Sequence, residues 1–171
     1  MRCYDFYESP YGRILLVAGD DGLTGVYFDG QKYHPRLEAA WRYDAGNALL
    51  RQAKRELAEY FGGERKRFEI ALAPVGTPFQ CRVWNAISTV EFGATIAYGE
   101  LARRAGCPGS ARAAGAATGR NPIGIIVPCH RIVGANGSLT GYAGGLEKKR
   151  ALLALEGANV QSPTADLLRA A

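Results

Sequence analysis

A chain of 171 residues with 47% hydrophobic content is long enough to bury a real core, as one large domain or two small ones. No apolar run approaches a membrane span, and Met1–Asp5 opens no secretory core. The four cysteines are scattered without a Cys-x-x-Cys, so a cytosolic monomer without disulfides, metal or cofactor is expected. The net charge of +5 is one-sided. Residues 1–76 carry eleven basic and eleven acidic side chains, whereas residues 77–157 carry nine basic and four acidic. A positive half suits an anionic partner, of which nucleic acid is the commonest.

In chain order, Cys3–Glu8, Arg13–Ala18 and Leu23–Phe28 read as strands separated by the turns Ser9-Pro10-Tyr11-Gly12 and Gly19-Asp20-Asp21-Gly22. Their loose alternation suits a sheet covered on one face. Leu37–Arg42 is ambiguous, with helical character. Ala48–Phe61 is an amphipathic helix with Leu49, Ala53, Leu57 and Tyr60 on one face, stopped by Gly62-Gly63. Phe68–Leu72 alternates as a last strand. No chemistry is legible in this half.

Ala73–Pro78 reads as a linker, dividing a domain at 1–76 from one at 77–157, with 158–171 as a tail. Past it, a helix runs from Thr77 or Pro78 to Val90. Tyr98–Ala105 and Ala111–Thr118 are short helices around the turn Cys107-Pro108-Gly109, with Ser110 at the cap position. These have helix-turn-helix proportions. The second is almost entirely small residues, with Ala111, Ala113 and Gly115 around the single long side chain of Arg112. Such a helix can lie close against a neighbouring helix, or enter a groove and insert one side chain among bases, as minor-groove binders do. Leu146–Glu156 is the final helix.

The stretch Ile125–Val133 holds the candidate nucleophile. Pro128 halts an apolar strand, and Cys129 follows beside His130 and Arg131. A free cysteine here reads either as a small buried hydrophobe or as a thiolate favoured by neighbouring cations.

Pro128-Cys129-His130-Arg131, followed by Gly141-Tyr142-x-Gly144-Gly145-x-x-x-Lys149 and Glu156-Gly157, resembles the O6-alkylguanine-DNA alkyltransferases. Thr77-Pro78-Phe79-Gln80, Val83-Trp84, Tyr98, Ala111-Arg112-Ala113 and Asn121-Pro122 fall in that family's order and spacing. The resemblance implies an α+β protein, with an N-terminal ribonuclease-H-like antiparallel sheet and helix before a mainly helical, winged-helix-like DNA-binding and catalytic half. It implies single-turnover transfer of the alkyl group of O6-alkylguanine, and of O4-alkylthymine, to Cys129. His130 would take the thiol proton through a water, and Glu156 would orient the imidazole. Asn121 would brace the turn leading into the site. Double-stranded DNA would be approached from the minor groove and the base flipped out. Arg112 would fill the gap in the stack, with Ala111, Ala113, Gly115 and Arg131 also at the DNA. Tyr98 would crowd the target phosphate and donate to the base. Ile132, Tyr142, Ala143, Gly144 and Lys149 would form the pocket. Gly124 stands where some members carry a proline that packs on the alkyl group, which leaves the preferred adduct size open. Two rivals differ in kind. A non-catalytic damage-recognition protein would lack the cysteine, and a cysteine hydrolase would need a distant base, for which only His34 is available.

Overall fold

The computed structural model describes residues 1–159; residues 160–171, most of the expected tail, lie outside the described residues. The N-terminal half is a four-stranded sheet of β1 (Cys3–Ser9), β2 (Gly12–Ala18), β3 (Leu23–Phe28) and β4 (Arg42–Tyr43), in the order β3-β2-β1-β4. β1 and β2 form an antiparallel hairpin whose register runs from Cys3 opposite Ala18 to Ser9 opposite Gly12. β3 continues it antiparallel, with an irregularity at Val17/Ala18. Helix α1 (Ala48–Phe61) packs on β1 and β2.

Sequence periodicity locates the three long strands within a residue, but three expectations change. Every residue from Ile14 to Ala18 is buried, so the central strand is covered on both faces rather than one. Second, Leu37–Arg42 is not helical. The chain runs irregularly, then adds Arg42–Tyr43 parallel to β1, and Arg2 lies 5.4 Å from the Trp41 ring centroid. Tertiary contacts here outweigh a weak local preference. Third, Phe68–Leu72 forms no strand. Only Leu72 bridges to Leu23, and the Glu69 N–H is taken by the α1 carboxylate of Glu56 at 2.9 Å. A backbone donor satisfied by a side chain has no need of a ladder.

In α1, Asn47 accepts the N–H groups of Leu49 and Leu50, supplying the missing first-turn acceptors. Leu50, Ala53, Leu57 and Tyr60 are fully buried, and Leu49 is only partly covered. Each of the two leucines contributes about 1.5–3 kcal/mol.

The C-terminal half begins at α2 (Pro78–Ile87), opened by a capping box between Thr77 and Gln80. It ends before Val90, whose N–H turns back to Ile87. Helices α3 (Tyr98–Arg104) and α4 (Ala111–Gly119) follow around the expected turn. Ser110 occupies the α4 cap position, but its side chain makes no capping bond. Ala114, Ala117 and Thr118 face inward, and the Trp84 indole N–H fastens α2 to the Ala117 carbonyl at 2.9 Å. A two-stranded parallel sheet joins β5 (Ile96–Ala97) to β6 (Ile132–Val133), and α5 (Leu146–Leu155) closes the half.

The expected strand at Ile125–Val127 is absent. Residues 122–124 instead lie along the open edge of β3, where the Val26 N–H donates to the Pro122 carbonyl (2.9 Å) and the Gly124 N–H donates to the Val26 carbonyl (3.0 Å). An exposed sheet edge is thereby occupied from within the chain. Ile125 then takes φ 69°, a left-handed conformation rare for a β-branched residue. A hydrophobic cluster runs without interruption through both halves.

Candidate active site

Directly after this turn, Pro128 leads into one turn of 3-10 helix, Cys129–Arg131, whose three residues are all buried. The Asn121 amide donates to the Val127 carbonyl at 2.8 Å, and its oxygen accepts the Ile123 N–H at 3.0 Å. It therefore ties both ends of the left-handed turn just before Cys129.

Below the cysteine lies a fully buried ionic cluster. Glu156, the residue ending α5, accepts His130 Nε2 on Oε1 at 2.7 Å, and the Tyr60 hydroxyl donates to the same oxygen at 2.7 Å. Arg131 grips both carboxylate oxygens, Nε to Oε2 at 2.9 Å and a terminal nitrogen to Oε1 at 3.0 Å. The Gly93 N–H reaches Oε2 at 3.2 Å. Burial alone would push the Glu156 carboxyl up. The hydrogen bonds from His130 and Arg131 outweigh it, with help from Tyr60, and hold the group down to about 2. A carboxylate that stays ionised only accepts, so Nε2 must carry the hydrogen and Nδ1 is left as the acceptor. Nδ1 is buried and makes no hydrogen bond to protein. Burial lowers the His130 pKa, opposed by Glu156, so the imidazole rests neutral.

Burial likewise pushes the Cys129 thiol up. Against it act the Asn121 amide, the Lys149 charge and the N–H groups of Cys129 and His130. The resting pair is thus a neutral thiol beside a neutral imidazole whose second nitrogen faces a fixed negative charge. The arrangement can move a proton from sulfur to Nδ1 and stabilise the imidazolium that results.

Cys129 forms part of a cavity of about 330 Å³ that Tyr98, Tyr142, Ala143, Gly115, Lys32 and Tyr33 also line. The wall carrying Gly141–Gly145 is held by Lys149, whose buried ammonium donates to the carbonyls of Ile132, Thr140 and Gly141. Burial lowers that ammonium to about 8. Gly144 is required by packing, because a Cβ there would meet Tyr142 at 2.9 Å and Phe28 of β3 at 3.3 Å.

Among the residues expected at the site, Cys129, Tyr98, Tyr142 and Ala143 meet at this cavity. His130 and Glu156 lie beneath it, and Asn121 and Lys149 act on its backbone. Ile132 is buried with its carbonyl engaged by Lys149. The Tyr98 hydroxyl donates to the Thr140 carbonyl at 3.2 Å, so donation to a base requires exchanging that partner. Arg112 and Ala113 are exposed on the outer side of α4, with Ala111 and Gly115 half-buried. Arg131 is a correction. Expected at the DNA, it is instead buried with its guanidinium on Glu156 and the Val90 carbonyl. His34, the base that the hydrolase alternative needs, bonds the Pro35 carbonyl at 2.8 Å and faces Asp29 at 3.8 Å.

Sequence reasoning missed Tyr60, Lys32 and Tyr33. Tyr60 reads as one more apolar residue on the α1 face, and nothing local reveals where its hydroxyl points. Among the described residues no cluster of three or more His, Cys, Asp or Glu could hold a metal, and no helix is long and apolar enough to cross a membrane.

Two family models match, a 6-O-methylguanine DNA methyltransferase ribonuclease-like domain over residues 3–74 and the DNA-binding domain of the same methyltransferase over residues 78–158. The chain belongs to the 6-O-methylguanine DNA methyltransferase family. A methylated-DNA–protein-cysteine methyltransferase from Methanosarcina acetivorans is 49% identical over 154 residues, covering 90% of this chain and 97% of that protein. The protein of the same name from Mycobacterium tuberculosis is 46% identical over 153 residues, covering 90% and 91%. The crystal structure of Mycobacterium tuberculosis OGT in complex with DNA superposes with a TM-score of 0.83 at 46% identity, covering 91% of this chain and 92% of that one. The structure of the O6-methylguanine methyltransferase from the same organism gives 0.83 at 43% identity over 98% and 99%. Family membership fits the α+β architecture described above.

Proposed function

We propose that the chain repairs alkylated DNA by moving the alkyl group of O6-alkylguanine, and of O4-alkylthymine, onto Cys129. What carries the reading is the Cys129 sulfur at a base-sized cavity, above a His130–Glu156 pair that can take its proton. The thiol proton passes through a water to His130 Nδ1, and the imidazolium is held by ionised Glu156. The Sγ–C bond forms as the C–O6 bond breaks, and the guanine leaves with a proton regained from the site. Tyr98 is the donor suited to the leaving base, once it releases Thr140. The product thioether on an sp³ carbon offers water no carbonyl to attack, so each chain acts once.

Residues 77–157 form the reacting unit in this reading, and residues 1–76 the scaffold on which its catalytic segment is laid. Helices α3 and α4 serve as a helix-turn-helix pair, presenting the small residues of α4 to the minor groove of a monomer's target duplex. The substrate base cannot meet a buried cysteine inside a helix and is flipped out. Arg112, exposed between small residues, fills the gap. In this reading the protein acts in the cytoplasm, on DNA.

The deciding experiment incubates the chain with excess O6-methylguanine duplex and measures intact mass and peptide masses. One added methyl on Cys129 is the expected result. Several turnovers per chain, or methylation elsewhere, would contradict the proposal. Arg112→Ala is expected to slow repair of duplex DNA by roughly 10²-fold or more while changing reaction with free O6-benzylguanine little. The magnitude reflects the unstacking energy, a few kcal/mol, that the side chain offsets. Equal losses on both substrates would remove the flipping role.

A further inference from the structure

The loop after β3 belongs to the half in which the sequence shows no chemistry, yet it reaches the cavity. The Gln31 side chain accepts the Phe28 N–H at 2.8 Å, and the His34 N–H returns to the Gln31 carbonyl at 3.3 Å. Between them the Lys32 N–H donates to the Ala143 carbonyl at 3.0 Å, which fastens this turn to the glycine-rich wall. Tyr33 occupies the third position of the turn with φ 62°, where glycine or asparagine is the usual choice. A tyrosine holds such a conformation only where its surroundings impose it. One partner is visible. The Arg120 guanidinium, one residue beyond α4, stands 3.8 Å from the Tyr33 ring centroid, well inside cation–π range. The left-handed backbone sets where the side chain departs, Arg120 covers its ring from the C-terminal half, and Tyr33 lines the same cavity as Cys129, Tyr98 and Tyr142.

We propose that Tyr33, clamped by Arg120, is a specificity-determining residue whose ring forms the outer wall of the pocket and limits the size of the O6 substituent that can reach Cys129. The inference rests on the alkyl-transfer reading above. A cavity of about 330 Å³ is near the lower end for small-molecule sites, about 300–1,000 Å³, so a flipped base and a bulky substituent compete for the space this ring bounds. A freely rotating surface tyrosine would simply move aside. A guanidinium over its face biases the ring against moving, by about 0.5–1 kcal/mol at an exposed site.

The test compares second-order transfer rates from two duplexes identical except for O6-methylguanine or O6-benzylguanine, so that any change in DNA affinity cancels in the ratio. Tyr33 is 44% exposed, and its truncation leaves the core untouched. Tyr33→Ala is expected to raise the benzyl-to-methyl ratio roughly tenfold, the scale on which one pocket group discriminates substrates. Tyr33→Phe keeps the ring and is expected to keep the parental ratio. Arg120→Gln frees the ring and is expected to raise the ratio less, in the same direction. An unchanged or lower ratio in Tyr33→Ala would overturn the proposal, as would a phenylalanine variant that behaves like alanine. A parental ratio in Arg120→Gln would remove the clamp from it. A parent chain inert to both duplexes would instead overturn the transfer reading, and this inference with it.

Discussion

Cys129→Ala is expected to abolish alkyl transfer while leaving affinity for duplex DNA nearly unchanged. Among the described residues, the Cys129 sulfur is the only nucleophile at the cavity beside the His130–Glu156 pair that can take its proton. No neighbour replaces it, since Tyr98 and Tyr142 are held as neutral phenols by burial. Binding should survive because Cys129 is only 6% exposed, whereas the surface proposed to meet DNA is the outer face of α4. A mass-based transfer assay beside a fluorescence-anisotropy titration separates the two quantities. Residual transfer in the variant, or a tenfold loss of affinity, would contradict the assignment. The electrostatic share of that affinity weakens with salt, so parent and variant are compared at one ionic strength.

Glu156→Ala is expected to be the most damaging single change to stability. It would leave the Arg131 guanidinium buried without its partner and deprive His130 and Tyr60 of their acceptor. Breaking a buried ion pair from one side costs about 3–5 kcal/mol, which lowers the melting temperature of a chain this size by roughly 10 °C. Transfer should slow as well, since the imidazolium loses its counter-charge. The pH dependence has a defined sign. Glu156 titrates in the fold at about 2, below its ordinary value of 4.5, so its stabilisation is complete above 4.5 and is lost as pH falls toward 2. His130, whose pKa burial depresses below 6.5, acts in the same sense, because the unfolded chain takes up its proton first. Urea midpoints at pH 7 and pH 3 therefore differ strongly in the parent. In the variant, the part of that difference owed to Glu156 should vanish. A variant within 1 kcal/mol of the parent at pH 7, a margin ordinary for a surface substitution, would show that the cluster contributes little to stability.

Much of this site was legible in the chain. Period-two and helical patterns place β1, β2, β3 and α1 nearly to the residue, because each carries its burial pattern locally. The resemblance around Cys129 names His130, Asn121, Lys149 and Glu156, which the fold brings together from well-separated segments. What sequence could not supply was relations between segments distant along the chain. Arg131 looks like a surface cation beside a nucleophile until Glu156 is seen beneath it. Phe68–Leu72 alternates like a strand, but the Glu69 N–H is claimed by a glutamate from α1. The apolar run before Pro128 reads as a strand, yet its neighbours pair with Val26 and force a left-handed turn at Ile125. In each case a contact distant in sequence decides the outcome, and no window of local residues contains it.

The way residues 122–124 lie along β3 has a consequence for how the chain can change over evolutionary time. At Val26 the attachment is made by peptide groups, not by side chains. Any residue able to sit in an extended strand presents the same N–H and carbonyl there, so the catalytic segment keeps its seat while the sheet beneath it exchanges side chains. Beyond an apolar core, the demands on the N-terminal half then fall on a few positions, such as the Tyr60 hydroxyl, the ring of Phe28 against Gly144 and the Lys32–Tyr33 turn at the cavity. Elsewhere that half can drift and the reacting cysteine need not follow.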